Sequence, residues 1–195
     1  MDLSNLGMEH TNAWVDLPYA GPDFDLDSWT TEETARIAER YAAEGQRADT
    51  RRIARTLRAI TKDSATRGTL GAFALYLSGF DTTLALVELD AILPDETAPE
   101  VTPRWVADLM ATDEVAPPQI AYMDLPLGSA VRIRQNHYAG KKRLFRPRPV
   151  LRALVYGVQP KNEKGLIRLV CSWEDFALDE VLVPMVDEMA ESLTL

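Results

Sequence analysis

Apolar positions in the last third of the chain first alternate and then take on a helical period. Ala153–Val158 reads as a strand, and Gln159–Gly165 as a polar turn built on Pro160, Asn162 and Gly165. Leu166–Trp173 reads as a second strand, with Leu169, Cys171 and Trp173 on one face. Val183–Leu195 is then expected as a closing amphipathic helix. Upstream, Ile120–Leu125 and Ala130–Gln135 read as strands around Pro126-Leu127-Gly128. In the second of these, Val131 and Ile133 face one way, and Arg132 and Arg134 the other.

Earlier elements follow the same logic. Ala13–Leu17 predicts a short strand ended by Pro18, after a loose arm over residues 1–13 without periodicity. The capping-box pattern Thr30-Thr31-Glu32-Glu33 predicts a helix from near Thr30 to about Glu44, stopped by Gly45. A second helix is expected over Thr50–Thr61 after Asp49. Ile53, Leu57 and Ile60 share its apolar face, while Arg51, Arg52, Arg55 and Arg58 fall mostly in solvent. Thr69–Ser78 predicts a strand carrying Phe73, Leu75 and Leu77 on one face. Leu84–Ile92 predicts a central strand, with a helix as the open alternative. Thr102-Pro103 starts a helix running to about Ala111. Residues 136–149 predict a long basic connection whose end is restricted by Pro147 and Pro149. Trp14, Trp29, Trp105 and Trp173 sit at element edges, as core anchors do, and Trp29 and Trp105 are also candidate contact anchors.

Length and composition place these elements in one ordinary globular domain, residues 1–195, with 46% apolar and 26% charged residues. One cysteine, Cys171, rules out an internal disulfide and fits a reducing compartment. The opening Met1-Asp2-Leu3-Ser4-Asn5 lacks a signal peptide's basic start. No apolar run approaches the roughly 18 residues of a membrane helix. The expectation is a soluble cytoplasmic protein.

The net charge of −9 argues against general nucleic-acid binding, but the charge is unevenly placed. No Asp or Glu occurs from Leu125 to Asn162, a window that holds Arg132, Arg134, Lys141, Lys142, Arg143, Arg146, Arg148, Arg152 and Lys161. Tyr138 and Phe145 interleave with these cations, as in nucleic-acid binders. Two readings compete. In one, the segment meets an acidic partner or another anion. In the other, its cations offset acidic neighbours of the same fold.

Motifs for chemistry are weak. Asp23-x-Asp25-x-Asp27 has the opening spacing of a calcium loop, but Ser28 and Thr34 stand where Gly and Glu are needed. It reads better as acid feeding a helix start. Gly140-Lys141-Lys142 fails as a phosphate loop, with Gln135 at the required glycine. His10 and His137 have no ligand spacing with each other or with Cys171, and His137 reads as a loop residue. Cys171 reads as a small core residue rather than a nucleophile. Glu174/Asp175 and Asp179/Glu180 read as solvated charge and helix-start residues. Carboxylate catalysis carries no fixed spacing and stays open.

Val155-Tyr156-Gly157-Val158, Leu166–Trp173 and the segment Met185–Leu193 together resemble the ending of PsbP/Mog-type domains. Leu125–Arg132 fits the preceding strand pair, and Trp14–Pro18 resembles a motif of uncharacterised actinobacterial proteins. The resemblance covers roughly residues 120–195. It implies an α/β/α sandwich with an antiparallel sheet and a binding protein rather than an enzyme. Named members are an extrinsic photosystem subunit and a nuclear-transport factor that binds a small GTPase. The family offers no catalytic residue to carry over.

These readings converge on an α+β domain whose antiparallel sheet of five to seven strands is flanked by helices. The expected function is a non-enzymatic protein-interaction module needing no cofactor and no metal. Its partner surface is expected at Arg132, Arg134, Lys141, Lys142, Arg143, Arg146 and Arg148. The alternative is a small-ligand binder or enzyme with a pocket between sheet and helices.

Overall fold

The structure is a computed structural model that describes residues 1–19, 21, 23–140 and 148–195. The fold is α+β, an open antiparallel sheet of seven strands with four helices packed against it. The chain divides into two compact units, Thr11–Glu88 and Met1–His10 with Leu89–Leu195.

The first unit holds β1 (Trp14–Asp16), α1 (Leu26–Ala43), α2 (Thr50–Ala65), β2 (Gly71–Leu75) and the opening of β3 (Ala85–Ile92). The start of α1 corrects the capping-box expectation. Asp25 is the cap, its carboxylate accepting the Ser28 N–H at 2.9 Å. Thr30 lies inside the helix, buried, its hydroxyl donating to the Leu26 carbonyl at 2.6 Å. An aspartate cap followed by Asp27 in the first turn favours the earlier start, since both charges meet the positive helix end. Gly45 closes α1 at φ 74°, a conformation that side chains with a Cβ adopt at a cost. Asp49 caps α2 as expected, but the helix runs on to Ala65, because no breaker intervenes before Gly68.

Ile37 and Tyr41 of α1 and Ile53 and Leu57 of α2 pack with Ala72, Ala74 and Tyr76. Each such aliphatic side chain, fully buried, stabilises the unit by roughly 1.5–3 kcal/mol. The face of β2 in this core is therefore the alanine face, not that of Phe73 and Leu75. Small side chains there let the helices approach closely. The Tyr41 hydroxyl donates to the Phe80 carbonyl at 2.8 Å, and burial pushes its pKa up to about 12.

The second unit holds the end of β3, α3 (Pro103–Met110), β4 (Gln119–Asp124), β5 (Gly128–Tyr138), β6 (Val150–Pro160), β7 (Leu166–Trp173) and α4 (Asp179–Glu191). The sheet order is β1-β2-β3-β7-β6-β5-β4. Thr102 caps α3, accepting the Trp105 N–H at 3.1 Å, with Pro103 at the first helical position. Strands β5 and β6 each span 11 residues, longer than their apolar alternation alone suggested, and pair without interruption from Gly128↔Pro160 to Tyr138↔Val150. His137 consequently lies in a strand, opposite Leu151, rather than in a loop.

Alternation on β6 sorts the two faces of this unit. Val131, Ile133, Val155 and Leu166 pack with Val106 and Ala107 of α3. Arg132, paired with Tyr156, belongs to the opposite face, to which both side chains bring contacts with Asp187 of α4. Helix α4 starts at Asp179 rather than Val183 and ends at Glu191. The opening residues, expected as a loose arm, make specific bonds in this unit. Gly7 and Thr194 exchange backbone hydrogen bonds at 3.1 and 3.0 Å, and the Met1 ammonium meets Glu163 at 3.2 Å. Among the described residues no helix is long and apolar enough to cross a membrane.

Candidate functional site

The basic segment begins on β5, whose alternation throws Arg132, Arg134 and Asn136 to one face. Arg152, paired with Asn136 in the register, joins them from β6. Helix α4 brings two carboxylates to this face. Asp179, its first residue, accepts from Arg134 Nη2 at 2.5 Å, Arg152 Nη2 at 2.7 Å and the Trp173 indole Nε1 at 2.8 Å. Burial alone would raise the Asp179 carboxyl. The hydrogen bonds from Trp173, Arg152 and Arg134 outweigh it and hold the pKa below the usual aspartate value. Arg152 also donates to Asn136 Oδ1 at 2.8 Å, and its guanidinium stands 4.5 Å from the Phe176 ring centroid.

Asp187 accepts a two-pronged bond from Arg132, Nε to Oδ1 at 3.1 Å and Nη2 to Oδ2 at 3.2 Å. The Tyr156 hydroxyl donates to the same carboxylate at 2.5 Å, and Arg132 Nε approaches that hydroxyl at 2.9 Å. Burial first, and then the neighbouring Asp187, push the Tyr156 phenol up. These contacts form two clusters between sheet and helix, Arg134, Arg152 and Trp173 around Asp179, and Arg132 and Tyr156 around Asp187. Arg134 Nε is buried without a hydrogen-bond partner.

The expected contact surface is thereby redistributed. Arg132 and Arg134 are committed to Asp187 and Asp179 of their own chain. Arg148 lies over the Tyr138 ring, 4.8 Å from its centroid, and pairs with Glu114 at 3.4 Å. Lys141, Lys142, Arg143 and Arg146 lie outside the described residues. For the three described cations, offset by acidic neighbours of the same fold is what the geometry shows. Asp179, read as a solvated helix-start charge, is instead the point where Arg134, Arg152 and Trp173 meet, only 17% exposed. Asp187 and Tyr156 as partners of Arg132, and Trp173 as a donor to Asp179, were missed. The available signal was the opposition of a basic segment over residues 125–162 and an acidic one over residues 174–191.

Other candidate residues have structural occupations. Cys171 is fully buried, and burial raises its thiol pKa far from the reactive range. In the calcium-like run, Asp25 caps α1 and Asp27 pairs with Arg58 at 2.8 Å. Among the described residues no group of three His, Cys, Asp or Glu side chains converges to hold a metal ion. A recess of about 40 Å³ opens at the end of α2, lined by Leu17, Ser64 and Ala72. That is room on the scale of a single water. An open groove runs past Asp124, Ser129, Gln159 and Lys161 at the strand turns. No protein-family model and no curated protein gives a significant match to this chain.

Proposed function

We propose that this chain is a non-enzymatic protein-interaction module acting in the cytoplasm. Its contact surface is the connection between β5 and β6, through Lys141, Lys142, Arg143 and Arg146. The observation that carries this reading is the neutralisation of Arg132, Arg134 and Arg148 by carboxylates of the same chain. The two clusters tie the β5–β6 pair to α4. The connection then brings four further cations, with no Asp or Glu between Leu125 and Asn162. Such a run of cations, on a chain of net charge −9, selects for an acidic protein rather than a polyanion. The perturbed groups Asp179, Tyr156 and Cys171 are all occupied in packing or pairing, which supports a binding role over catalysis.

The same reading places the second unit with the α/β/α sandwiches of PsbP/Mog type. Support comes from α3 and α4 packing on opposite faces around Gly157 and Tyr156. The test is affinity purification of the tagged chain from its host beside a Lys142→Glu, Arg143→Glu, Arg146→Glu variant. A stoichiometric acidic partner should be recovered with the wild type and lost from the variant. Equal recovery by both, or no partner with either, would overturn the proposal.

A further inference from the structure

Strand β4 is the last in the sheet order, and among the described residues no strand lies beyond it. It pairs with β5 in unbroken register from Gln119↔Arg134 to Asp124↔Ser129. At the turn, Leu125 and Gly128 exchange backbone hydrogen bonds at 2.9 and 3.1 Å. Antiparallel alternation counted from that pair turns the N–H and C=O groups of Met123 and Ala121 toward β5. Those of Asp124, Tyr122 and Ile120 point away from it, to the open edge. The side chains at this edge are apolar and exposed, Ile120 by 43% and Tyr122 by 59%. Both stand opposite Val131 and Ile133, on the sheet face that α3 covers.

Protein edges of this kind are usually blunted by shortness, a bulge, an internal proline or a lysine. The opposite edge, β1, is three residues long. The six-residue β4 has none of these devices, and its single charge is Asp124 at one end.

We propose that β4 is the interface of a symmetric dimer, in which a second copy of this chain pairs its own β4 antiparallel and extends the sheet across a two-fold axis at Ala121. This inference is independent of the basic connection. The strand is complementary to itself in this register. Ile120 meets Tyr122 of the second copy, and Tyr122 meets Ile120, two aromatic–β-branched pairs on one face. Gln119 meets Met123, Ala121 meets Ala121, and Asp124 meets Pro118, so no like charges oppose each other. The outward backbone groups of Ile120 and Tyr122 form hydrogen-bonded pairs, about four bonds in all. An unrelated peptide would satisfy the backbone but not this reciprocal arrangement, which a two-fold contact requires.

The experiment measures the mass of the full chain by sedimentation over a concentration series, for wild type, Ile120→Lys and Tyr122→Lys. A third variant, Ala121→Cys, is tested for disulfide formation under mild oxidation, with Gln119→Cys as control. Wild type should sediment at twice the 21.8 kDa of one chain. The lysine variants should weaken dimerisation about 100-fold or more, through like charge brought together at the edge. Ala121→Cys should crosslink to itself, since a non-hydrogen-bonded antiparallel pair brings Cα atoms to about 4.5 Å. Gln119→Cys, facing Met123, should not. Both lysines replace exposed side chains, and an unchanged urea midpoint at low concentration confirms folding. A wild type that stays monomeric at its solubility limit overturns the proposal. So does a dimer that survives both lysines and leaves Ala121→Cys uncrosslinked.

Discussion

The indole of Trp173, at the end of β7, donates to Asp179, the first residue of α4, at 2.8 Å. This bond ties the last strand to the last helix and holds the carboxylate where Arg134 and Arg152 converge on it. Replacing Asp179 with Asn keeps the shape but leaves two half-buried guanidinium groups without their counter-charge. The expected loss is about 2–3 kcal/mol, less than for a fully buried pair because Arg134 remains 28% exposed. Urea denaturation of wild type and Asp179→Asn at neutral pH measures it.

The same carboxylate predicts the acid limb of stability. Its pKa in the folded chain lies below the ordinary aspartate value that it regains on unfolding. The unfolded state therefore binds the proton more readily. The stabilisation is present above the unfolded value and is lost as pH falls through the lower, folded one. Wild type should lose stability through this acid window, and Asp179→Asn should lose less over the same pH range. Urea midpoints from pH 2 to 6 make the comparison. Parallel curves for the two proteins would contradict the assignment.

Val106 of α3 sits directly over Gly157 of β6. A Cβ at Gly157 would lie 3.0–3.1 Å from its three side-chain carbons. Gly157→Ala should therefore destabilise by about 1–3 kcal/mol through overpacking. Val106→Ala in the same chain should recover part of that loss, although Val106→Ala alone is destabilising. A double-mutant cycle from denaturation curves gives the coupling. Additive effects would show that α3 moves away at no cost.

Cys171 is enclosed on all sides, and its thiol is pushed upward by burial. Thiol reagents should leave it unmodified in the native chain at neutral pH and label it fully in urea. Cys171→Ser should cost about 1–3 kcal/mol, since the hydroxyl would be desolvated without a partner. Rapid labelling of the folded protein would show instead that this strand opens readily.

Local signals carried most of the element order. Thr102-Pro103 placed the start of α3 to the residue, Asp49 placed the start of α2, and the alternation of Leu166–Trp173 marked β7 at both ends. These are short-range effects, a cap on nearby amides or a period of two on a half-buried surface. Local pattern failed where two good signals competed. Thr30 with Glu33 has the form of a capping box, yet Asp25 captured the helix start, because an earlier cap adds a further turn whose Thr30 becomes buried. It failed again at α4, where Asp179 and Glu180 continued the helix four residues upstream of the apolar run.

The candidate site was legible only in part, and for a related reason. The absence of acid between Leu125 and Asn162, and the strand face shared by Arg132 and Arg134, are properties of order along the chain. Hydrophobic alternation determined by itself that these arginines oppose Val131 and Ile133. Whether their face meets solvent or another element depends on residues 45 to 55 positions away, Asp179 and Asp187. Charge attraction acts through space and leaves no period in sequence. The antiparallel α+β class, the core role of Cys171 and the strand pairs were thus written in local chemistry. The commitment of the arginines to α4, and the open backbone edge of β4, were decided only when the tertiary structure chose which surfaces to cover.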